Sequence, residues 1–300
     1  MLERRHGGFA AAVVSLEDDS SDIFTACLSD EVITDMPAVA AERRRSVLAV
    51  AGGLDGPLRN GGRVLDSAEW FCDDRDRWYP LSSMIQGRYG CASASLPNQF
   101  IVIGGSSGRS NLASVEALDV RANRWRELAP LPKALYGCAA SSLRMSTAQR
   151  VIVACGGCDE SRAAVGDTYI YDAAADRWRT PQAQRGPPST LDPEAESGSM
   201  RTPRMCHAVA AVPRRCLPPE LWAGFSDETR VHGVATKELS DMPTAALEEC
   251  VLALGGKPPN DAAPMYASVE VFDPRRCEWA SMPWHLPEPM WHHSACLVFV

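Results

Sequence analysis

Aromatic residues are scarce in this chain, at 7% of 300 residues, so each Trp and Tyr is informative about architecture. No apolar run comes near the eighteen residues that a spanning helix needs, so none is expected. No Asn-x-Ser/Thr acceptor is present. Positive charge is in deficit: 30 Lys and Arg stand against 38 Asp and Glu, a net charge of −8. A general nucleic-acid surface needs clustered basic charge, and this balance argues against one. Sustained 3.6-residue periodicity is also missing, which leaves an all-β reading. Near the N-terminus, Gly7–Leu16 is apolar but short, and it runs into Glu17-Asp18-Asp19 without a cleavage site. It reads as a strand and not as a secretory signal. Cysteine, by contrast, is plentiful. The eleven Cys are odd in number and lie mostly in predicted strands, where a free thiol behaves as a small buried hydrophobe. A reducing compartment follows, with the cytoplasm as the default location.

What is present is a repeat. Ser268–Trp279 (SVEVFDPRRCEW) follows Gly255-Gly256, and three further copies have the same form. Ser67–Trp78 follows Gly52-Gly53, Ser114–Trp125 follows Gly104-Gly105, and Asp167–Trp178 follows Gly156-Gly157. In three copies an Asp (Asp119, Asp172, Asp273) stands six residues before the Trp, and in the first copy Asp73 stands five before it. Every unit predicts four short strands. Strand A starts near Arg5-His-Gly-Gly-Phe, Arg88-Tyr-Gly-Cys-Ala, Leu135-Tyr-Gly-Cys-Ala or Arg204-Met-Cys-His-Ala. Strand B is the β-branched run ending in Gly-Gly, strand C the Ser-Val-Glu segment, and strand D carries the Trp. Gly, Pro, Asn and Asp separate these runs, as in antiparallel hairpins. A unit this small cannot bury its own apolar face, so the copies are expected to stack on one another. Gly52, Gly53, Gly104, Gly105, Gly156, Gly157, Gly255 and Gly256 then permit close approach of a neighbour. Trp78, Trp125, Trp178 and Trp279 fill the space between units.

This pattern resembles the kelch-repeat β-propellers. The Gly-Gly, the aromatic–Asp step (Phe71…Asp73, Tyr171-Asp172, Phe272-Asp273) and the later Trp carry the resemblance over most of residues 5–300. Leu118-Asp119 lacks the aromatic, and Leu135 replaces the usual Arg. The resemblance implies one all-β propeller domain over 1–300, with four complete four-stranded blades at about 5–81, 86–128, 134–180 and 204–282. A single strand of a fifth blade would occupy 290–300. Three insertions interrupt the period at 15–45, 182–203 and 213–248. Their formal charges of −5, −1 and −2 are the whole of the net charge. Because kelch rings close with five to seven blades, the chain is expected to be a fragment of such a ring.

Three stretches imitate catalytic or metal motifs. Gly104-Gly-Ser-Ser-Gly108 fits the nucleophile elbow, which requires a strand–turn–helix setting. Cys155-Gly-Gly-Cys158 fits C-x-x-C, yet no second pair exists. In both, the glycines are the repeat glycines, so a structural role is expected. His207 and His293 share one repeat position with Cys91, Cys138 and Gly8, and with His285 and His292 they resemble nitrogen ligands. Packed or rim histidines are the expectation. The family includes copper oxidases, which need a Tyr–Cys pair with His ligands, and no matching motif is found here. The chain is therefore expected to be no enzyme and to hold no metal or cofactor.

Function then rests on surface recognition. The resemblance implies a protein–protein interaction module, of the kind that serves as substrate receptor of a larger assembly, that binds through the B–C and D–A loops. Those loops would present Arg59, Asn60, Arg63, Arg88, Tyr89, Arg109, Asn111, Tyr136, Arg162, Arg204 and Lys257. Arginine forks suit carboxylates, which makes another protein, through an acidic peptide segment, the expected partner. Neither nucleic acid nor membrane is expected. A metal-dependent oxidase or lyase, and an actin-binding kelch protein, are the alternatives.

Overall fold

The computed structural model describes residues 8–15, 46–72, 76–145, 149–181, 198–218, 249–258 and 263–292. They form four antiparallel four-stranded sheets, each a simple meander. Sheet 1 holds β1 (Ala10–Ser15), β2 (Ser46–Ala51), β3 (Ala68–Cys72) and β4 (Arg77–Leu81). Sheet 2 holds β5 (Ala92–Leu96), β6 (Gln99–Ile103), β7 (Val115–Asp119) and β8 (Arg124–Leu128). Sheet 3 is β9 (Ala139–Arg144), β10 (Arg150–Cys155), β11 (Thr168–Asp172) and β12 (Arg177–Arg179). Sheet 4 is β13 (Ala208–Pro213), β14 (Glu249–Leu254), β15 (Ser268–Asp273) and β16 (Glu278–His285). These are four sheets of the kelch blade kind. Two compact units result: Met1–Tyr136 with sheets 1 and 2, and Gly137–Val300 with sheets 3 and 4.

The repeat Asp builds the turn between the third and fourth strands. Asp119 Oδ1 accepts from the N–H groups of Arg121 and Ala122 at 2.9 and 3.0 Å. Asp172 accepts likewise from Ala174 and Ala175, and Asp273 from Arg275. These Asx turns each end in a left-handed residue two positions before the Trp: Asn123, Asp176 and Cys277. In sheet 1 that position is Cys72, and Asp73, one residue later, lies outside the described residues; the turn has the same left-handed residue, Asp76.

The Gly-Gly pair receives the chain of the next repeat. A Cβ on Gly52 would lie 2.4 Å from Arg88 O, one on Gly104 2.8 Å from Leu135 O, and one on Gly156 2.6 Å from Arg204 O. The second glycine donates its N–H to that same carbonyl, Gly53 to Arg88, Gly105 to Leu135 and Gly157 to Arg204, at 2.7–2.9 Å. Gly256 does the same with Met290 O at 2.7 Å, so residue 290 already sits where a further repeat begins. The rest of the expected fifth strand, 293–300, lies outside the described residues.

The Trp bolts one sheet to the sheet before it. Trp125 is buried among Ala49, Ala51 and Trp70 of sheet 1 and Phe100 of its own sheet, and its Nε1 donates to Ser82 O at 2.6 Å. Trp279 is buried with Val153 and Ile170 of sheet 3, and its Nε1 donates to Thr168 Oγ1 at 2.9 Å. Trp78 and Trp178 are only half-buried. Leu118, which lacks the aromatic ring of the other repeats, is still fully buried beside Phe100.

Two alignments need correction. Gly90 donates its N–H to Gly8 O just as Cys206 does to Gly137 O, so Gly8 matches Gly90, and Phe9 takes the position of Cys91. The expected insertion at 182–203 is too long at its C-terminal end. Met200 is buried beneath Gly156, and residues 200–203 are the ordinary lead-in to β13. Residues 16–45, 182–197 and 219–248 of the insertions lie outside the described residues, whereas Pro213 ends β13 and a one-turn 3-10 helix follows over Arg214–Cys216.

Candidate functional site

In each meander, the second-to-third strand loop and the lead-in to the first strand lie at the same end of the sheet. Bridges between Tyr89 and Ser106, and between Met205 and Lys257, tie these segments together. Every residue expected to face a partner lies at this end.

Arg88 and Arg204 do not face a partner. Both are wholly buried. Arg88 donates through Nη1 to the carbonyls of Gly104 and Ser114, and through Nη2 to Ser114 Oγ and Glu116. Arg204 repeats this on Gly255, Ser268 and Glu270, with the carboxylate contact at 2.6 Å. A guanidinium buried in this way presents nothing to a ligand, and exposing it would strand a buried carboxylate. The two arginines share a repeat position because they are structural.

Their carboxylate partners went unrecognised in the sequence. Glu116 also accepts from the N–H groups of Ile85 and Gln86, and Glu270 from those of Arg201 and Thr202. Each Glu therefore anchors the incoming loop as well as the arginine. A sequence signal did exist. Where Arg is replaced by Leu135, the aligned Glu is replaced by Tyr169, so the pair is lost together.

The remaining candidates in residues 1–136 form a group. Arg59 is exposed on the turn Leu58–Asn60, whose Asn60 is exposed too. Arg63 is exposed and pairs with Asp55 at 2.8 Å, which with the Arg63 backbone N–H holds the Asp55 carboxyl below its ordinary range. The loop of Arg63 touches that of Arg109, since a Cβ on Gly108 would lie 3.1 Å from Val64 Cγ2. Asn111 bridges to Ser106. Tyr89 and Tyr136 meet edge to face, with centroids 5.4 Å apart, and Gly90 makes room for the Tyr136 ring. Two apolar side chains at this end were not foreseen: Ile85, 59% exposed, and Leu58, 40% exposed.

In residues 137–300, Arg162 is exposed on a loop shaped by Asp159, which accepts from Ser161 and Ala163. The Lys257 ammonium lies 4.4 Å from the centre of the Trp291 ring, a cation–π contact.

The catalytic look-alikes resolve into packing. Ser106 and Ser107 bond to the Ser110 carbonyl within their own loop, with no helix following. Cys155 and Cys158 are buried, and burial pushes both thiols up. His207 is buried, its Nε2 3.6 Å from Cys155 Sγ. Among the described residues, no three His, Cys, Asp or Glu side chains gather as metal ligands.

Burial also raises Cys91 from the ordinary 9.0 to about 11, and Cys206 and Cys250 to about 12. Above about pH 9 the unfolded chain ionises thiols that the folded chain keeps protonated. The unfolded state then binds fewer protons, so stability falls as pH rises towards 11. Urea midpoints measured from about pH 8 to 10.5 should decline, and a triple Cys→Ala variant at 91, 206 and 250 should decline less steeply.

A family model described as the Kelch motif matches residues 87–132, which span Arg88, all of sheet 2 and the first residues after it. No curated protein matches the chain. Among the described residues, no helix is long and apolar enough to cross a membrane.

Proposed function

Taking the chain as a kelch-repeat protein, we propose that it is a non-enzymatic interaction module whose partner is another protein, engaged at the loop end of sheets 1 and 2. The observation that carries this reading is the grouping of exposed Arg59, Arg63 and Arg109 with the exposed apolar side chains Leu58 and Ile85, beside the Tyr89–Tyr136 pair. Interfaces favour this mixture of Arg, aromatic and aliphatic anchors. The arginines select carboxylates, so the ligand is an acidic peptide segment carrying an apolar residue that covers Ile85. A role as the receptor of a larger assembly is compatible with this surface. The buried, protonated thiols favour a reducing compartment, the cytoplasm.

The test is titration of a fluorescent Asp/Glu-rich peptide containing one Leu. Arg63→Ala with Arg109→Ala should weaken binding by about tenfold or more, from two lost charge-assisted contacts. The loss should be smaller at high salt. Equal affinity for the double variant and the parent would remove this surface.

A further inference from the structure

Three arginines belong to the proposed surface, and one of them is held in place. Asp55 and Arg63 close the neck of the loop between β2 and β3. The Asp55 N–H donates to Arg63 O at 3.1 Å, and Leu54 bridges to Val64. Just beyond the pair, Gly62 has no room for a Cβ against Gly56 O, so the loop is drawn tight there. The Asp55 carboxylate is tied to this neck through Oδ1, which accepts the Arg63 backbone N–H. Its second oxygen, Oδ2, accepts from Arg63 Nε at 2.8 Å. The guanidinium is thus gripped at its inner corner, while the Arg63 side chain stays 75% exposed.

Arg59 and Arg109 differ. Both are exposed, Arg59 on the turn Leu58–Asn60 and Arg109 on the loop between β6 and β7. Among the described residues nothing accepts from either guanidinium. An arginine of that kind must be ordered when a ligand binds, which lowers affinity by about two- to tenfold. A guanidinium already fixed has lost that freedom beforehand, and its fork admits a carboxylate in one orientation. The Asp55 charge acts in the opposite sense, because it repels an anionic ligand. Across an exposed surface at about 0.15 M salt, that repulsion changes affinity by roughly twofold. Orientation therefore outweighs repulsion.

We infer that Asp55 is a positioning residue and that Arg63, through it, sets the specificity of this surface, whereas Arg59 and Arg109 contribute charge alone. The inference rests on the reading of the surface as a site for an acidic peptide segment. The partner then needs one carboxylate in register with Arg63, and its other acidic residues are interchangeable.

Titration of the same fluorescent peptide tests this by exchanging each arginine for lysine, which keeps the charge and loses the fork. Arg63→Lys should weaken binding at least about fivefold, and Arg59→Lys and Arg109→Lys by less than about twofold. Asp55→Asn keeps an acceptor for the Arg63 backbone N–H but gives up the charge-assisted hold on Nε. It should weaken binding about threefold at about 0.15 M NaCl, and by a larger factor at about 0.5 M, where the removed repulsion no longer compensates. In an Arg63→Ala background, Asp55→Asn should change affinity by less than about twofold, whereas a loop merely disrupted would still lose about threefold. Equal losses for the three lysine variants, tighter binding by Asp55→Asn, or its full loss without Arg63 would each overturn the inference and leave the surface standing. A parent protein that does not bind the peptide would instead remove the surface, and the inference with it.

Discussion

Glu116→Ala should destabilise the protein by about 3–5 kcal/mol, the cost of breaking a buried ion pair by removing one partner. The loss is large because Glu116 serves the Arg88 guanidinium and the backbone N–H groups of Ile85 and Gln86 together. Arg88→Leu alone should cost a similar amount, for it leaves the carboxylate buried and unpaired. The informative variant is Arg88→Leu combined with Glu116→Tyr, the residue types that the sequence has at the matching repeat positions, Leu135 and Tyr169. Each of those residues is buried in its own unit, Leu135 completely. The double variant should therefore recover roughly half or more of the summed single losses, since a paired hydrophobic replacement removes the stranded charge. Denaturant midpoints of the four proteins form the cycle that measures it. Strictly additive losses would show that the arginine and the glutamate act separately.

The second large effect lies in the repeat Trp. Trp279→Ala should cost about 3–5 kcal/mol, because it empties a site shared by sheets 3 and 4 and removes the bond to Thr168. Trp78→Ala should cost roughly 1 kcal/mol, since its ring is only half-buried. The same residue type in the same repeat position thus has unequal consequences, and thermal melts of the two variants compare them directly. Equal losses would mean that Trp78 is covered as fully as Trp279.

Strand order, turn chemistry and the glycine approach were all legible from the sequence, because each rests on local rules. The Asp-to-Trp spacing encodes an Asx turn closed by a left-handed residue. Gly-Gly encodes a place where another chain passes within van der Waals distance. The site was less legible. Arg88 and Arg204 look like surface arginines when only their own segment is read. Their acceptors lie 16 to 66 residues away, and only the fold brings them together. Ile85 and Leu58 escaped notice for the opposite reason, since a lone aliphatic residue in a loop carries no pattern. The one-residue slip at Gly8 came from two adjacent glycines, Gly7 and Gly8, either of which fits the left-handed position.

The carbonyl that accepts the N–H of each Gly-Gly pair has a consequence for where one unit ends. The sequence repeat closes at its Trp strand, but the backbone bond that completes its second strand comes from the residue that opens the next repeat. The unit that folds is therefore out of phase with the unit that recurs, by the lead-in segment. An excised sheet 3 must run through Arg204 and an excised sheet 4 through Met290, or Gly157 and Gly256 lose the acceptors for their N–H groups. Each junction belongs to two repeats at once, so unfolding begun in one sheet exposes donors in its neighbour, and the pair is expected to melt as one.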